Sequence, residues 1–180
     1  MTQIKIPKER VGALIGKGGE TKKWIEQRTG VRMLIDSAEG DVDLDTSQLS
    51  EPSLALVVPN IVKAIGRGFS PEHATELLDD DTVLEIIDMR DYVGKKPNHV
   101  VRVRARLIGT RGKTRRIMEE LTGTHISVFG NTVSVIGGSV QASITIRAIE
   151  MLLEGAEHAT VYRFLEGKRD VVRAAGMGFD

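Results

Sequence analysis

Apolar and polar residues alternate around Ile4 and Ile6, and again over Val31–Ile35 and Asp41–Asp45. Between these stretches, apolar residues recur at helical spacing over 8–15 and 19–29. A period of two marks a half-buried strand, and spacings of three and four mark a helix. The pattern therefore predicts a short strand ended by Pro7, a helix over 8–15 stopped by Gly16, a second helix over 19–29 and two strands. A closing helix follows over about 52–67. Pro59 predicts a kink or break in it, because proline donates no N–H and its ring crowds the preceding turn. The second helix is expected to turn Trp24, Ile25 and Arg28 inward, with Gly30 as its left-handed stop. The same order then returns: a strand at Leu84–Met89, helices over about 98–107 and 112–122, strands over 124–129 and 132–136, and a long helix over 139–154. A further helix over about 157–166 ends at Gly167, and Arg169–Ala175 adds a last helical turn before a glycine-rich tail.

This return is an internal repeat. Leu14-Ile-Gly-Lys-Gly-Gly-Glu-Thr21 matches Leu107-Ile-Gly-Thr-Arg-Gly-Lys-Thr114 at an offset of 93 residues. The match continues without gaps: Glu26 with Glu119, Thr29-Gly30 with Thr122-Gly123, and Met33 and Ile35 with Ile126 and Val128. Glu72-His-Ala-Thr75 recurs as Glu157-His-Ala-Thr160. The seam falls near Asp79–Thr82, which divides the chain into domains of residues 1–80 and 81–180.

Composition narrows the function. The chain has 180 residues and no cysteine, which excludes disulfide scaffolds, Cys-ligated metals and thiol catalysis. No apolar run has the roughly 18–20 residues that a membrane span needs, and the N-terminus lacks a signal-peptide core; a soluble, cytoplasmic protein is expected. Lys+Arg and Asp+Glu number 25 each, and a net charge of zero speaks against nucleic acid. The distribution reverses that inference. Residues 1–90 carry 11 Lys/Arg and 16 Asp/Glu, whereas residues 91–180 carry 14 and 9. Lys95, Lys96, Arg102, Arg104, Arg106, Arg111, Lys113, Arg115 and Arg116 form a run with no acid in it. Residues 5–28 hold seven basic residues and three acids. Acids gather instead at Asp36–Asp45 and at Asp79, Asp80 and Asp81.

Gly16-Lys17-Gly18-Gly19 and Gly109-Thr110-Arg111-Gly112 each separate two helices. Glycine there lets a polymer backbone approach closely, and the following helix offers unpaired N–H groups and partial positive charge to an anion. Lys17, Lys22 and Lys23 in one copy, and Arg111, Lys113, Arg115 and Arg116 in the other, supply side-chain charge for phosphates. Ile15, Met33 and Ile35, and likewise Ile108, Ile126 and Val128, can floor a groove for unstacked bases. One GxxG is nearly uninformative; the same GxxG twice in the same frame is a strong signal.

The run Ile15-Gly16-Lys17-Gly18-Gly19 leading to Ile25, and Ile108-Gly109-Thr110-Arg111-Gly112 leading to Met118, resembles the signature of the KH domain. The strand order resembles the eukaryotic, type I form. The resemblance implies an α+β protein of tandem type I KH domains, each a three-stranded sheet with helices packed on one face, whose GxxG loops clamp about four nucleotides of single-stranded RNA or DNA. Leu107–Ile126 and the basic insert Tyr92–Pro97 are more closely similar to the two-KH proteins of small-ribosomal-subunit assembly: the partner-of-Nob and Krr group and its archaeal counterparts. That likeness implies binding to the 3′ region of small-subunit ribosomal RNA, largely through the second domain. An intact first GxxG departs from the eukaryotic members and points to the archaeal type. The RNA-binding set expected on this basis is Ile15, Gly16, Lys17, Gly18, Gly19, Lys22 and Lys23, with Arg106, Ile108, Gly109, Thr110, Arg111, Gly112, Lys113, Arg115, Arg116 and Ile126.

Other readings are weaker. Gly109-Thr-Arg-Gly-Lys-Thr114 imitates the end of a nucleotide-binding GxxxxGK[ST] loop, but Leu107 stands where its first glycine belongs. His73, His99, His125 and His158 are scattered, so no metal site is expected; His73 and His158 are assigned structural places near helix starts, and His125 a surface strand position. Trp24 matches Ile117 and is assigned to the core. No catalytic carboxylate pair, no cofactor and no enzymatic activity is expected. A general RNA-binding translation regulator, or an adaptor holding a basic translation or processing factor on its acidic first half, remains an alternative.

Overall fold

The computed structural model describes residues 1–177; the last residues of the expected glycine-rich tail, 178–180, lie outside the described residues. The chain forms two units, Met1–Asp80 and Asp81–Asp180. They hold 10 Lys/Arg against 13 Asp/Glu and 15 against 12, respectively.

The first unit runs β1 (Thr2–Lys5), α1 (Lys8–Ile15), α2 (Glu20–Thr29), β2 (Arg32–Asp36), β3 (Asp41–Asp45), α3 (Leu54–Gly66) and a one-turn α4 (Pro71–Ala74). The second runs β4 (Thr82–Asp88), a one-turn α5 (Arg90–Val93), α6 (Pro97–Ile108), α7 (Lys113–Thr122), β5 (His125–Phe129), β6 (Thr132–Gly138), α8 (Ser139–Leu153), α9 (His158–Gly167) and α10 (Arg169–Met177). Each sheet is antiparallel, ordered β1-β3-β2 in one unit and β4-β6-β5 in the other. This is the α+β plan expected of type I KH domains. The strand that follows the clamp, β2 or β5, therefore lies at an open edge.

Period-two burial is clear in β3, where Val42 and Leu44 are buried and Asp41, Asp43 and Asp45 half-exposed. Helices contribute stripes: Val11 and Leu14 from α1, Val100, Val103 and Leu107 from α6, Ile25 and Thr29 from α2, and Thr114, Met118 and Thr122 from α7. Both clamp helices end on a left-handed glycine, Gly30 (φ 82°) and Gly123 (φ 70°), whose N–H groups bond the carbonyls of Glu26 and Glu119. Only glycine takes that conformation without steric penalty.

Three expectations require correction. Trp24 is 47% exposed and Arg28 is exposed, so neither belongs to the core. The buried face of α2 repeats every four residues through Ile25 and Thr29, and Trp24 stands roughly 100° round the helix from Ile25. Pro59 does not break α3, which runs continuously from Leu54 to Gly66. The one-turn α5 was not expected, being too short to show a period, whereas α4 supplies the helix start expected beside His73.

Candidate nucleic-acid interface

Each clamp begins where a helix stops on a glycine that no other residue can replace. Gly16 (φ 75°, ψ 171°) and Gly109 (φ 73°, ψ 176°) hold extended, positive-φ backbone open to glycine alone. A Cβ on either would lie 2.4 or 2.3 Å from the hydroxyl of Thr21 or Thr114. One short 3-10 turn follows, Lys17–Gly19 or Thr110–Gly112, and delivers the chain into α2 or α7. Gly19 and Gly112 stand at the helix starts, left-handed at φ 78° and 76°, and no side chain caps either N-terminus. The exposed amide groups are thus left for an anion.

The two turns differ at their middle. Gly18 (φ 60°, ψ 22°) is matched by Arg111 (φ 56°, ψ 31°), the one non-glycine residue with positive φ among the described residues. Holding a long side chain left-handed costs about 1–2 kcal/mol, and such strain clusters at binding sites. The guanidinium stands exposed at the apex of the turn. The first turns of the two clamp helices differ as well. In α2 it contains Glu20, whereas α7 opens on Lys113 and has no acid in its first turn.

Behind each turn sits the same bracket. Glu26 Oε1 accepts the Met33 N–H at 2.9 Å and pairs with Lys22 at 3.9 Å. Glu119 Oε1 accepts the Ile126 N–H at 3.0 Å and pairs with Arg115 at 2.8 Å. This ties the clamp helix to the open strand edge at a fixed spacing. Ile35 and Val128, two residues further along, offer their backbone on the same edge as Met33 and Ile126. Ile15 and Ile35 in the first unit, and Ile108 and Val128 in the second, are half-buried beside the turn or the open edge.

Of the expected residues, Ile108, Gly109, Thr110, Arg111, Gly112, Lys113 and Arg116 gather at or beside the second turn, with Thr110, Arg111, Lys113 and Arg116 exposed. Ile15, Gly16, Lys17, Gly18, Gly19 and Lys23 gather likewise at the first. Lys22 and Arg115 are engaged by their glutamates and contribute less free charge. Beside the first groove, Asp43 and Asp45 line the hollow together with Lys22 and Arg32. The Ser47 backbone N–H, 3.0 Å from Asp45, holds that carboxyl below its ordinary range.

Two expected contacts are corrected. Ile126 is only 4% exposed and belongs to the core of the second unit, as its repeat counterpart Met33, 1% exposed, does in the first. Arg106 points away from the clamp and caps the long helix: its guanidinium donates to the carbonyl of Leu152 at 2.6 Å and to that of Ala156. His158 Nε2 lies 2.9 Å from the Arg106 carbonyl, which can only accept, and so fixes the ring at the start of α9. Arg10 does the same work in the first unit, donating to Ile65 and Phe69 carbonyls at 2.8 Å each. Repeat-equivalent to Arg106 is Ala13, so the cap has moved by three residues, one turn of the same helix face. Arg106→Met is expected to destabilise the second unit by about 2–3 kcal/mol, because two part-buried carbonyls lose a charged donor. Affinity of the folded fraction for an RNA tetranucleotide, which fills the clamp alone, should stay within twofold of the parent. Chemical denaturation and a binding titration on one sample check both; a large affinity loss with unchanged stability would return Arg106 to the interface.

Glu26 and Glu119 were visible in the repeat as matched residues without a role. Arg10 gave no sequence signal, because its partners lie 55 and 59 residues away. Among the described residues no group of three or more His, Asp or Glu side chains could hold a metal ion, and no helix is long and apolar enough to cross a membrane.

Comparison with known proteins follows the same division. Residues 83–170 match a family model for the second PNO1 domain, described as a eukaryotic-type (type I) KH domain, and residues 1–50 match the general KH domain model. A KH domain-containing protein of Methanocaldococcus jannaschii is 47% identical over 173 residues, covering 96% of this chain and 75% of its own length. The crystal structure of Dim2p from Pyrococcus horikoshii OT3 aligns with a TM-score of 0.86 at 45% identity, over 92% of this chain and 98% of that one. A chain in the crystal structure of an a/eIF2alpha–aDim2p–rRNA complex from the same organism aligns at 0.88 and 44% identity, over 94% of both chains. With paired clamps in the same frame and identity near one residue in two along almost its whole length, the chain belongs to the two-KH-domain family that includes archaeal Dim2p.

Proposed function

We propose that this protein binds single-stranded RNA in the cytoplasm, with the 3′ region of small-subunit ribosomal RNA as its target during ribosome assembly or rRNA processing. The second clamp does most of the gripping. One observation carries this choice: the second turn and its helix start are surrounded by Arg111, Lys113 and Arg116 with no acid in the first turn, whereas Glu20 opens the matching helix and Asp43 and Asp45 flank its groove. Support for the ribosomal target comes from the likeness of Leu107–Ile126 to the assembly group and from the relative whose complex contains rRNA. Backbone phosphates lie on the glycine turn and the α7 N-terminus, bases enter the groove over Ile108 and Val128, and the β5 edge reads them by hydrogen bonding. The protein acts by holding RNA, with no cofactor and no covalent chemistry.

A second reading adds a protein partner. Asp41, Asp43 and Asp45 project from one face of β3, and a relative's complex also contains a/eIF2alpha. An acidic first unit holding a basic translation factor would leave the second free for RNA.

Ultraviolet crosslinking in cells followed by sequencing of bound fragments tests the target. The expected result is one dominant peak near the 3′ end of small-subunit ribosomal RNA. Crosslinks spread over messages without that peak would favour a general translation regulator.

A further inference from the structure

Outside the groove, on the opposite flank of each clamp helix, the fold leaves a hollow, and the two units line it with opposite charge. In the first unit it measures about 350 Å³ and is bordered by Glu20, Thr21, Trp24 and Glu72. In the second it measures about 560 Å³ and is bordered by Arg102, Lys113, Thr114, His158 and Tyr162. These are the same place in the repeat. Thr21 and Thr114 correspond, Glu20 is replaced by Lys113, and the segment containing Glu72 corresponds to the segment containing His158. One acid, Glu20, has given way to a cation, Lys113; Arg102 adds a second cation to the second hollow, and Glu157, the counterpart of Glu72, does not line it.

The second hollow is also built. Arg102, Ala105 and Arg106 stand on one face of α6, with Arg102 exposed while Val100 and Val103 beside it are buried. Tyr162 of α9 donates its hydroxyl to Thr114 Oγ1 at 3.2 Å, and Thr114 is the residue against which Gly109 packs. Thus α9 braces the clamp and closes one side of the hollow. Gly109 and Thr110 line both the hollow and the clamp turn, so a strand held on the turn already lies at its rim.

We infer that this hollow is a second subsite for the RNA strand, taking a backbone phosphate just outside the clamped stretch. Arg102 and Lys113 hold the phosphate, while Ala105 and the Tyr162 ring receive the adjoining ribose. The subsite rests on the clamp reading above and extends it from about four nucleotides to one or two more. Its phosphate is recognised by charge and not by sequence.

The test compares a tetranucleotide with octamers extended on the 5′ or the 3′ side, using the full chain and its Arg102→Gln variant. Arg102 is exposed on a helix, so the variant should fold; thermal melting confirms it. The parent should bind one of the octamers about tenfold more tightly than the tetranucleotide, as one charge-assisted contact allows. Arg102→Gln should abolish that gain and leave tetranucleotide affinity unchanged. Its plot of log affinity against log salt for that octamer should flatten by about 0.7, the loss of one single-strand phosphate contact. No gain from extension in the parent, or an equal loss at all lengths in the variant, overturns the subsite. Inorganic phosphate at millimolar concentration that shifts the Thr114 and Tyr162 resonances without RNA, while extension brings no gain, would assign the hollow to a free anion instead. Failure of the parent to bind even the tetranucleotide removes the clamp reading itself.

Discussion

Replacing Thr110 and Arg111 together with aspartate is expected to weaken binding of a single-stranded RNA octamer by about a hundredfold, two charge-assisted contacts being removed and two carboxylates set against phosphates. The loss should come from the interface and not from the fold. Thr110 and Arg111 are exposed, and the left-handed backbone at residue 111 suits aspartate better than arginine. The melting temperature of the variant should therefore match or exceed that of the parent, while fluorescence anisotropy reports the lost affinity. Equivalent changes at Lys17 and Gly18 meet the same backbone geometry at Gly18, φ 60°, and likewise remove one cation, but at a helix start that already contains Glu20 and so holds a phosphate less strongly. Their expected cost is below about tenfold. Full binding by the second-turn variant would refute the assignment of the dominant grip to that unit.

Gly109→Ala has the largest expected effect on stability. The added Cβ would stand 2.3 Å from the Thr114 hydroxyl and 2.7 Å from the Thr114 amide nitrogen, at a φ of 73° and a ψ of 176° that alanine does not tolerate. Thr114 cannot swing aside freely, since it is 96% buried and its hydroxyl accepts from Tyr162. The backbone itself must move, at a cost of about 3–5 kcal/mol, a large part of a domain's total stability. Gly16→Ala meets Thr21 at 2.4 Å in the same conformation and should cost the first unit a similar amount. Urea unfolding followed by a probe in each unit checks the pair. Either alanine variant with parental stability would show that the turn has other conformations available.

Sequence reading succeeded where the constraint is local. Gly16, Gly30, Gly109 and Gly123 are demanded by backbone angles that only glycine holds, so their spacing disclosed the turns, the helix ends and the duplication. Alternation marked the strands and the repeat at 93 residues doubled them, while their order in the sheet was implied by the resemblance to type I KH domains. It failed where a side chain's partner is remote. Arg106 stands in a basic run and was read with it, yet its carbonyl partners are 46 and 50 residues away. Trp24 failed for a different reason: an aromatic residue next to a buried isoleucine fits a helix pattern either way, and only the packed neighbours decide which side is wet. Ile126 was apolar and beside the groove, but it is packed into the core, while Val128 on the same face stays half-buried nearer the strand end. The exchange of Glu20 for Lys113 is legible at the offset of 93 residues, but that Lys113 and Arg102, on different helices, border one hollow shows only in three dimensions.

Arg111 sets heat tolerance against grip. Every other positive-φ position of the described chain is glycine, so Arg111→Gly would relax the second turn into the form its twin already has. A relative living hotter gains stability from that exchange and loses a cation at the tip of its RNA clamp. Among such proteins, the residue at this one backbone position should sort them by how tightly they must hold RNA and how far their growth temperature exceeds that of their neighbours.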